Sequence, residues 1–142
     1  MDLVDALAFI TPRRNGVLAT TKRDGRPQLS NITYHLGGDG LIRISITATR
    51  AKYANLVRTA QASLHVAADD FWAYVVVEAD VEVAPVAAAP HDDTVEELVE
   101  YYRTLAGEHP NWDEYRLSMV NDRRTIVRLT PTHVYGMLPR PS

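Results

Sequence analysis

A chain of 142 residues, 46% of them hydrophobic, has the length of one domain spanning 1–142 and can bury roughly 68–70% of the surface its unfolded form exposes. Zero cysteines exclude disulfides, iron–sulfur clusters, thiolate nucleophiles and cysteine zinc sites, and 15 basic against 18 acidic residues lack the cationic excess of a general nucleic-acid binder. The acidic start Met1-Asp2-Leu3-Val4-Asp5 and the lack of any apolar run of about 18 residues predict a soluble, cytoplasmic protein.

Leu3, Leu7 and Ile10 recur at helical spacing with Ala6 filling the stripe, which predicts a short amphipathic helix over residues 2–10, ended before Pro12. From Gly16 the period changes. Val17 to Thr21 reads as a strand, Asp24-Gly25 as a hairpin turn, and Pro27 to Leu36 as the returning strand. After the turn Gly37-Gly38-Asp39-Gly40, Ile42, Ile44 and Ile46 alternate with Arg43, Ser45 and Thr47, a half-buried strand with one polar face. Thr49 can cap a helix from about Arg50 to Thr59, because its hydroxyl can accept from an early helical N–H.

Ala62 to Ala67 reads as a strand, and Val75, Val77, Ala79, Val81 and Val83 then alternate with Tyr74, Val76, Glu78, Asp80 and Glu82 in the longest strand the pattern predicts. An Ala-rich connector, Pro85 to Pro90, leads to a helix with Val95, Leu98, Val99, Tyr102 and Leu105 on one stripe. Asp93-x-x-Glu96 or Thr94-x-x-Glu97 offers its capping chemistry. Trp112, Tyr115 and Met119 predict a second short helix after Gly107. Two last strands, about Arg124 to Leu129 and His133 to Met137, straddle Pro131, which lacks a ladder N–H and marks an edge or corner. Antiparallel strands with inserted helices predict a mainly β fold, a closed or partly closed β-barrel with peripheral helices.

Hydrolytic chemistry has no support: there is no Gly-x-Ser-x-Gly elbow, no His-Glu-x-x-His pair and no phosphate loop. His35, His65, His91, His109 and His133 lack i,i+4 spacing, and Glu78, Asp80 and Glu82 suit a solvated strand face as well as a cation. No metal site is assigned. The most informative stretch is Thr49-Arg50-Ala51-Lys52-Tyr53-Ala54-Asn55-Leu56, where two cations sit in the first turn of a helix, against the macrodipole preference. A phosphate resolves the conflict, with Arg50 as a fork, Lys52 as a point charge and free backbone N–H groups completing a cradle; an exposed basic helix is the plainer alternative. Ser45 and Thr47 on the third strand, with Gln28, Ser30 and Asn31 on the second, offer small hydroxyls and amides that suit a flat heterocycle or face water. Trp72 and Tyr74 open the long strand and supply an aromatic wall or ordinary packing.

Gly16-Val17-Leu18-Ala19-Thr20, Asp24-Gly25-Arg26-Pro27-Gln28-Leu29-Ser30-Asn31, Ile44-Ser45-Ile46 and Arg50-Ala51-Lys52-Tyr53-Ala54-Asn55-Leu56, in that order, resemble the pyridoxamine-phosphate-oxidase-like split barrels. Together with Asp92-Asp93-Thr94-Val95-Glu96, Ala106-Gly107-Glu108-His109 and His133-Val134-Tyr135-Gly136, they are most similar to the actinobacterial branch that binds coenzyme F420. The resemblance implies a six-stranded antiparallel split β-barrel of the FMN-binding-protein type, forming a homodimer with cofactor sites shared between subunits. It also implies that Arg50, Ala51 and Lys52 hold cofactor phosphate, with Asn55 in the same motif, that Gln28, Ser30, Asn31 and Ser45 lie near the ring system, and that Trp72 serves the partner subunit's pocket. The C-terminal Leu138-Pro139-Arg140-Pro141-Ser142 departs from the vitamin oxidases, which end in a segment that holds the vitamin phosphate.

The implied activity is hydride transfer from the deazaflavin to a small conjugated or electron-poor substrate. The alternatives are an FMN-binding oxidoreductase on the same barrel and a non-catalytic F420 carrier. No side chain is assigned as catalytic: the final proton is expected from solvent, with Tyr74 and His35 as alternatives. Arg13, Arg14, Lys22, Arg23 and Arg26 can screen an acidic cofactor tail or simply serve solubility.

Overall fold

The computed structural model describes residues 1–140; Pro141 and Ser142, the end of the segment that departs from the vitamin oxidases, lie outside the described residues. The first helix, α1 (Leu3–Ile10), is capped by Asp2, whose carboxylate accepts from the Asp5 N–H at 2.9 Å, and it buries Ala6, Phe9 and Ile10. Strand β1 (Asn15–Thr21) turns through Gly25, which sits at φ +86°, into β2 (Pro27–Thr33), with Val17 opposite Asn31 and Thr20 opposite Gln28. A single residue, Tyr34, separates β2 from β3 (His35–Leu36). Tyr34 is fully buried and its hydroxyl donates to the Ile10 carbonyl at 2.6 Å, fixing the bend against the end of α1.

Next come β4 (Ile42–Thr47), α2 (Ala51–Arg58), β5 (Gln61–Ala67), β6 (Tyr74–Val83), α3 (Asp93–Ala106), α4 (Trp112–Asn121) and β7 (Arg124–Met137). The strands form one sheet in the order β2-β1-β5-β6-β7-β4-β3, every pairing antiparallel. Because β2 and β3 are one extended run bent at Tyr34, the two ends of that order are joined through the chain. The sheet curls into a barrel that stays split between β2 and β4, which do not pair. Counted with β2 and β3 as one strand it has the expected six; segment by segment it has seven.

Alternation decides what fills it. Ile42, Ile44 and Ile46 point inward to meet Leu18, Leu64 and Val75, all essentially inaccessible, while Arg43, Ser45 and Thr47 face out. A second, smaller core lies outside the barrel, where Val95, Leu98, Val99 and Tyr115 of α3 and α4 cover Ile126. Glu97 ties α3 down by accepting from Arg43 Nε of β4 at 2.9 Å and Arg128 Nε of β7 at 2.8 Å, two cations that are direct partners in the ladder.

Three local expectations need correction. The longest strand is β7, with 14 residues against 10 in β6, because the two expected C-terminal strands are continuous through Pro131. β4 pairs with β7 only as far as Leu129, so at Pro131 the strand has lost one neighbour and the missing N–H is tolerated. A bulge against Glu78/Ala79 then shifts the alternation, so that Leu129 and Val134 are both buried. The N-cap of α2 is Arg50 rather than Thr49 and makes no side-chain capping bond. The N-cap of α3 is Asp92, whose carboxylate accepts from the Val95 N–H at 2.9 Å, one residue before the nearer expected box.

Candidate functional site

The split between β2 and β4 leaves two strand edges unpaired side by side, and a groove of two adjoining hollows lies there. The first, about 430 Å³, is lined by Gln28 and Ser30 of β2, Ser45, Ile46 and Thr47 of β4, and Arg50, Ala51 and Lys52 at the start of α2, with Arg124 from β7. Seven of the sequence-derived candidates, scattered from residue 28 to residue 52, thus share one hollow. The second hollow, about 380 Å³, shares Ser45, Lys52 and Arg124 with the first and adds Asn31, Tyr101, Tyr102, Tyr115 and Met119 among its walls. Along β2 the first hollow takes Gln28 and Ser30, which share one face, and the second takes the end of the strand, Asn31 to Thr33.

Asn55 and Trp72 do not line either hollow in this chain. Asn55 is buried; its Nδ2 donates to Thr20 Oγ1 at 3.1 Å and Gln28 Oε1 at 3.2 Å, and its Oδ1 accepts from Arg58 Nη2 at 2.8 Å. It therefore occupies the Gln28 carbonyl and leaves the Gln28 amide N–H groups for the groove. Trp72 lies 80% exposed on the turn before β6, beside Phe71, which takes φ +71°. Tyr74 stacks on His65 at 5.5 Å on the outer sheet face, and His35 lines a separate hollow with Arg43 and Glu97, so neither considered proton donor reaches the groove.

The electrostatics of the first hollow are one-sided. No carboxylate lies within 4.0 Å of Arg50, Lys52 or Arg124 among the described residues, whereas Arg43, Arg103, Arg116 and Arg128 all hold acidic partners. Burial, reinforced by the nearby charges of Arg50 and Arg124, pushes the Lys52 ammonium below its ordinary value. The Tyr53 N–H already donates to the Arg50 carbonyl at 3.1 Å, but the Ala51 and Lys52 N–H groups at the start of α2 have no intrahelical acceptor, and Arg50 offers no side-chain cap to them. Arg124 Nε is buried with no hydrogen-bond partner, and its Nη1 reaches Ser45 Oγ only at 3.5 Å. Cations, free N–H groups and a buried unsatisfied donor converging on one hollow fit the phosphate of a cofactor.

The second hollow is held rigidly. Tyr101, whose hydroxyl donates to the Thr33 carbonyl of β2 at 2.7 Å, spans the split; burial raises its pKa, against the opposing influence of the Ser45 amide and Arg124. Tyr115 donates to the Leu98 carbonyl at 3.0 Å, and burial pushes its hydroxyl up to about 12 despite Arg124. Tyr102 packs among His109, Trp112 and Tyr115, with ring centroids 5.2, 5.7 and 5.0 Å away. The tyrosines and Arg124 were not read as groove residues in the sequence because only long-range packing brings α3, α4 and the start of β7 to the split. The Tyr101-Tyr102 pair was the available signal: Tyr101 lies off the apolar stripe that Tyr102 belongs to.

A third depression, about 440 Å³, lies over Ser63, Glu78 and Asp80 on the outer sheet, where carboxylates repel an anion. Among the described residues no cluster of three or more His, Asp or Glu is placed to hold a metal, and no helix is long and apolar enough to cross a membrane.

The architecture is a split β-barrel with a cationic, tyrosine-walled groove at the split. The chain belongs to the pyridoxamine 5'-phosphate oxidase family, whose profile matches residues 5–138. Among solved structures it is similar to an F420 reductase, with 22% identity over 91% of this chain and 94% of that one and a TM-score of 0.68. It is similar also to a conserved hypothetical protein from Mycobacterium tuberculosis, with 22% identity, 100% and 91% coverage and a TM-score of 0.73. A heme storage protein, HutZ, from Vibrio cholerae matches with 16% identity, 96% coverage of each chain and a TM-score of 0.68. At these identities the likeness is one of fold.

Proposed function

We propose that the protein is a homodimeric reductase that binds coenzyme F420 in this groove and transfers a hydride to a small conjugated or electron-poor substrate. The observation that carries the reading is the uncompensated set Arg50, Lys52 and Arg124 around the start of α2, beside a strip of small polar groups. Arg50, Lys52 and the first N–H groups of α2 hold the phosphate, and Gln28, Ser30, Ser45 and Thr47 read the edge of a flat ring. When bound, the coenzyme supplies the hydride-bearing carbon, so the chain itself needs neither nucleophile nor metal and contributes orientation and electrostatics. Solvent supplies the final proton.

FMN is the second reading, favoured by the same cations, because its phosphate suits the same cradle. A fluorescence titration with the deazaflavin, FMN and heme in parallel decides: deazaflavin preference followed by turnover of an enone upholds the proposal. FMN preference promotes the second reading, binding without turnover makes the protein a carrier, and heme preference or no binding overturns both flavin readings. Lys52→Ala should weaken the bound cofactor by about 1–3 kcal/mol, as expected for a lost charge-assisted bond, in the same titration.

The lowered pKa of Lys52 sets a pH dependence. An anion favours the ammonium form, so affinity is full at pH values below the Lys52 pKa and falls as pH rises through it, beginning below the ordinary 10.5. Titrations from about pH 7 to about pH 10 should show the decline in the wild type and a smaller one in Lys52→Arg.

Support for the dimer is an outer sheet face with exposed Leu29, Tyr135 and Met137, together with Phe71 and Trp72. The left-handed backbone of Phe71, at φ +71°, is costly for an aromatic residue and suits a turn held in place by a neighbouring subunit. Light scattering at micromolar concentration should give twice the chain mass; a monomer overturns this part.

A further inference from the structure

We infer that Arg124 is a third phosphate-binding residue of the groove and fixes the phosphoryl group at the junction of its two hollows. The inference rests on the reading of the groove as a site for a phosphate-bearing cofactor, but it stands on observations of its own. Arg124 lines both hollows. Its Nε is the one buried side-chain nitrogen or oxygen left without a partner among the described residues. Every other arginine with a recorded side-chain bond has a carboxylate, amide or carbonyl acceptor: Arg13 has the Phe9 carbonyl, Arg14 that of Leu105, and Arg58 that of Thr21 together with Asn55.

The cost of this arrangement is considerable. A guanidinium with a dehydrated, unpaired N–H is packed close enough to depress Lys52, with only a 3.5 Å approach to Ser45 Oγ in return. An anion removes all of these penalties together. Its oxygens accept from the Arg124 fork, neutralise the repulsion between Arg124, Arg50 and Lys52, and leave Ser45 free to face the ring.

The backbone places the residue deliberately. Arg124 is the first residue of β7 and the ladder partner of Thr47, the last of β4, so its Cα is locked beside the start of α2. The turn before it depends on Arg123 at φ +53°, whose N–H bonds to the Val120 carbonyl and whose carbonyl accepts from the Ala48 N–H. A non-glycine residue in that conformation is uncommon, and here it sets where β7 starts.

The test compares wild type, Arg124→Gln and Arg124→Lys in calorimetric titrations with F420 and FMN, and in melting curves with and without inorganic phosphate. Arg124→Gln should lose about 10–100-fold in affinity for whichever cofactor the wild type binds, while melting no lower than the wild type in the absence of ligand, because an unpaired buried donor is gone. Arg124→Lys, which keeps the charge without the fork, should lie between the two and carries the test if the glutamine variant does not fold. Affinity within twofold of wild type in both variants overturns the inference. If the wild type binds neither cofactor, the cofactor reading fails but this inference is still decided: phosphate should raise the melting temperature of the wild type and not of Arg124→Gln. An equal rise in both, or none in either, overturns it.

Discussion

Gly136→Ala is expected to destabilise the fold by about 3 kcal/mol or more, a drop of roughly 10 °C in melting temperature for a chain of this size. Gly136 pairs with Val75 near the end of the β6–β7 ladder and takes φ +146°, where L side chains are rarely found. A Cβ there would lie 2.2 Å from the Tyr74 carbonyl oxygen and 3.0 Å from Val75 Cα, both backbone atoms that cannot turn away. The chain must either open the ladder or distort β6 next to Trp72. Gly38→Ala is the control, since its Cβ meets nothing within 4 Å and the backbone is unstrained, and it should melt with the wild type. Equal melting of Gly136→Ala and wild type would mean that β7 is not held against β6 beyond the bulge.

Glu97→Ala should cost about 3 kcal/mol, at the lower end of what breaking a buried ion pair costs because its side chain and those of Arg43 and Arg128 are each about a fifth exposed. The substitution leaves two arginines directly opposite each other in the β4–β7 ladder, each with one remaining acid, Asp39 or Glu82, out toward solvent. Burial alone would raise the Glu97 pKa, but the bonds from Arg128 and Arg43 more than offset it and the net shift is downward. The stabilisation is therefore fully present above the ordinary carboxylate range and is lost as pH falls through the depressed folded value. Chemical denaturation from about pH 7 down to about pH 3 should show a shallower acid limb in Glu97→Gln than in wild type. Parallel limbs in the two would mean that the clamp does not form.

The barrel was legible because its strands obey simple alternation and its turns carry glycine at the positions that need it, as in Asp24-Gly25 and Gly37 to Gly40. The cationic start of α2 was legible for a different reason: Arg50 and Lys52 offend a local electrostatic rule, and local rules can be read without knowing the fold. What the sequence did not yield was long-range. Tyr101 reaches Thr33 across 68 positions and Arg124 reaches Ser45 across 79, and no periodicity links such residues before the sheet order is known. Capping was misplaced by one residue at both helices: at α3 neighbouring Asp and Thr residues offer equivalent oxygens and the backbone chooses among them, whereas α2 starts from Arg50 with no side-chain cap at all. Pro131 was read rightly as an edge and wrongly as a break, since a strand can lose one neighbour without ending.

The helices α3 and α4 arise within a single excursion, residues 84–123, between two strands that are themselves neighbours in the sheet. Val83 and Val127, on either side of it, are ladder partners, so the excursion leaves and returns at nearly the same point. Its length is thus decoupled from the register of the barrel, while Tyr101, Tyr102, Tyr115 and Met119 make it one wall of the groove. Such a segment can vary as a cassette: drift or grafting recasts the shape of that wall, while the polar strip of β4 and the cationic start of α2 belong to a different part of the chain.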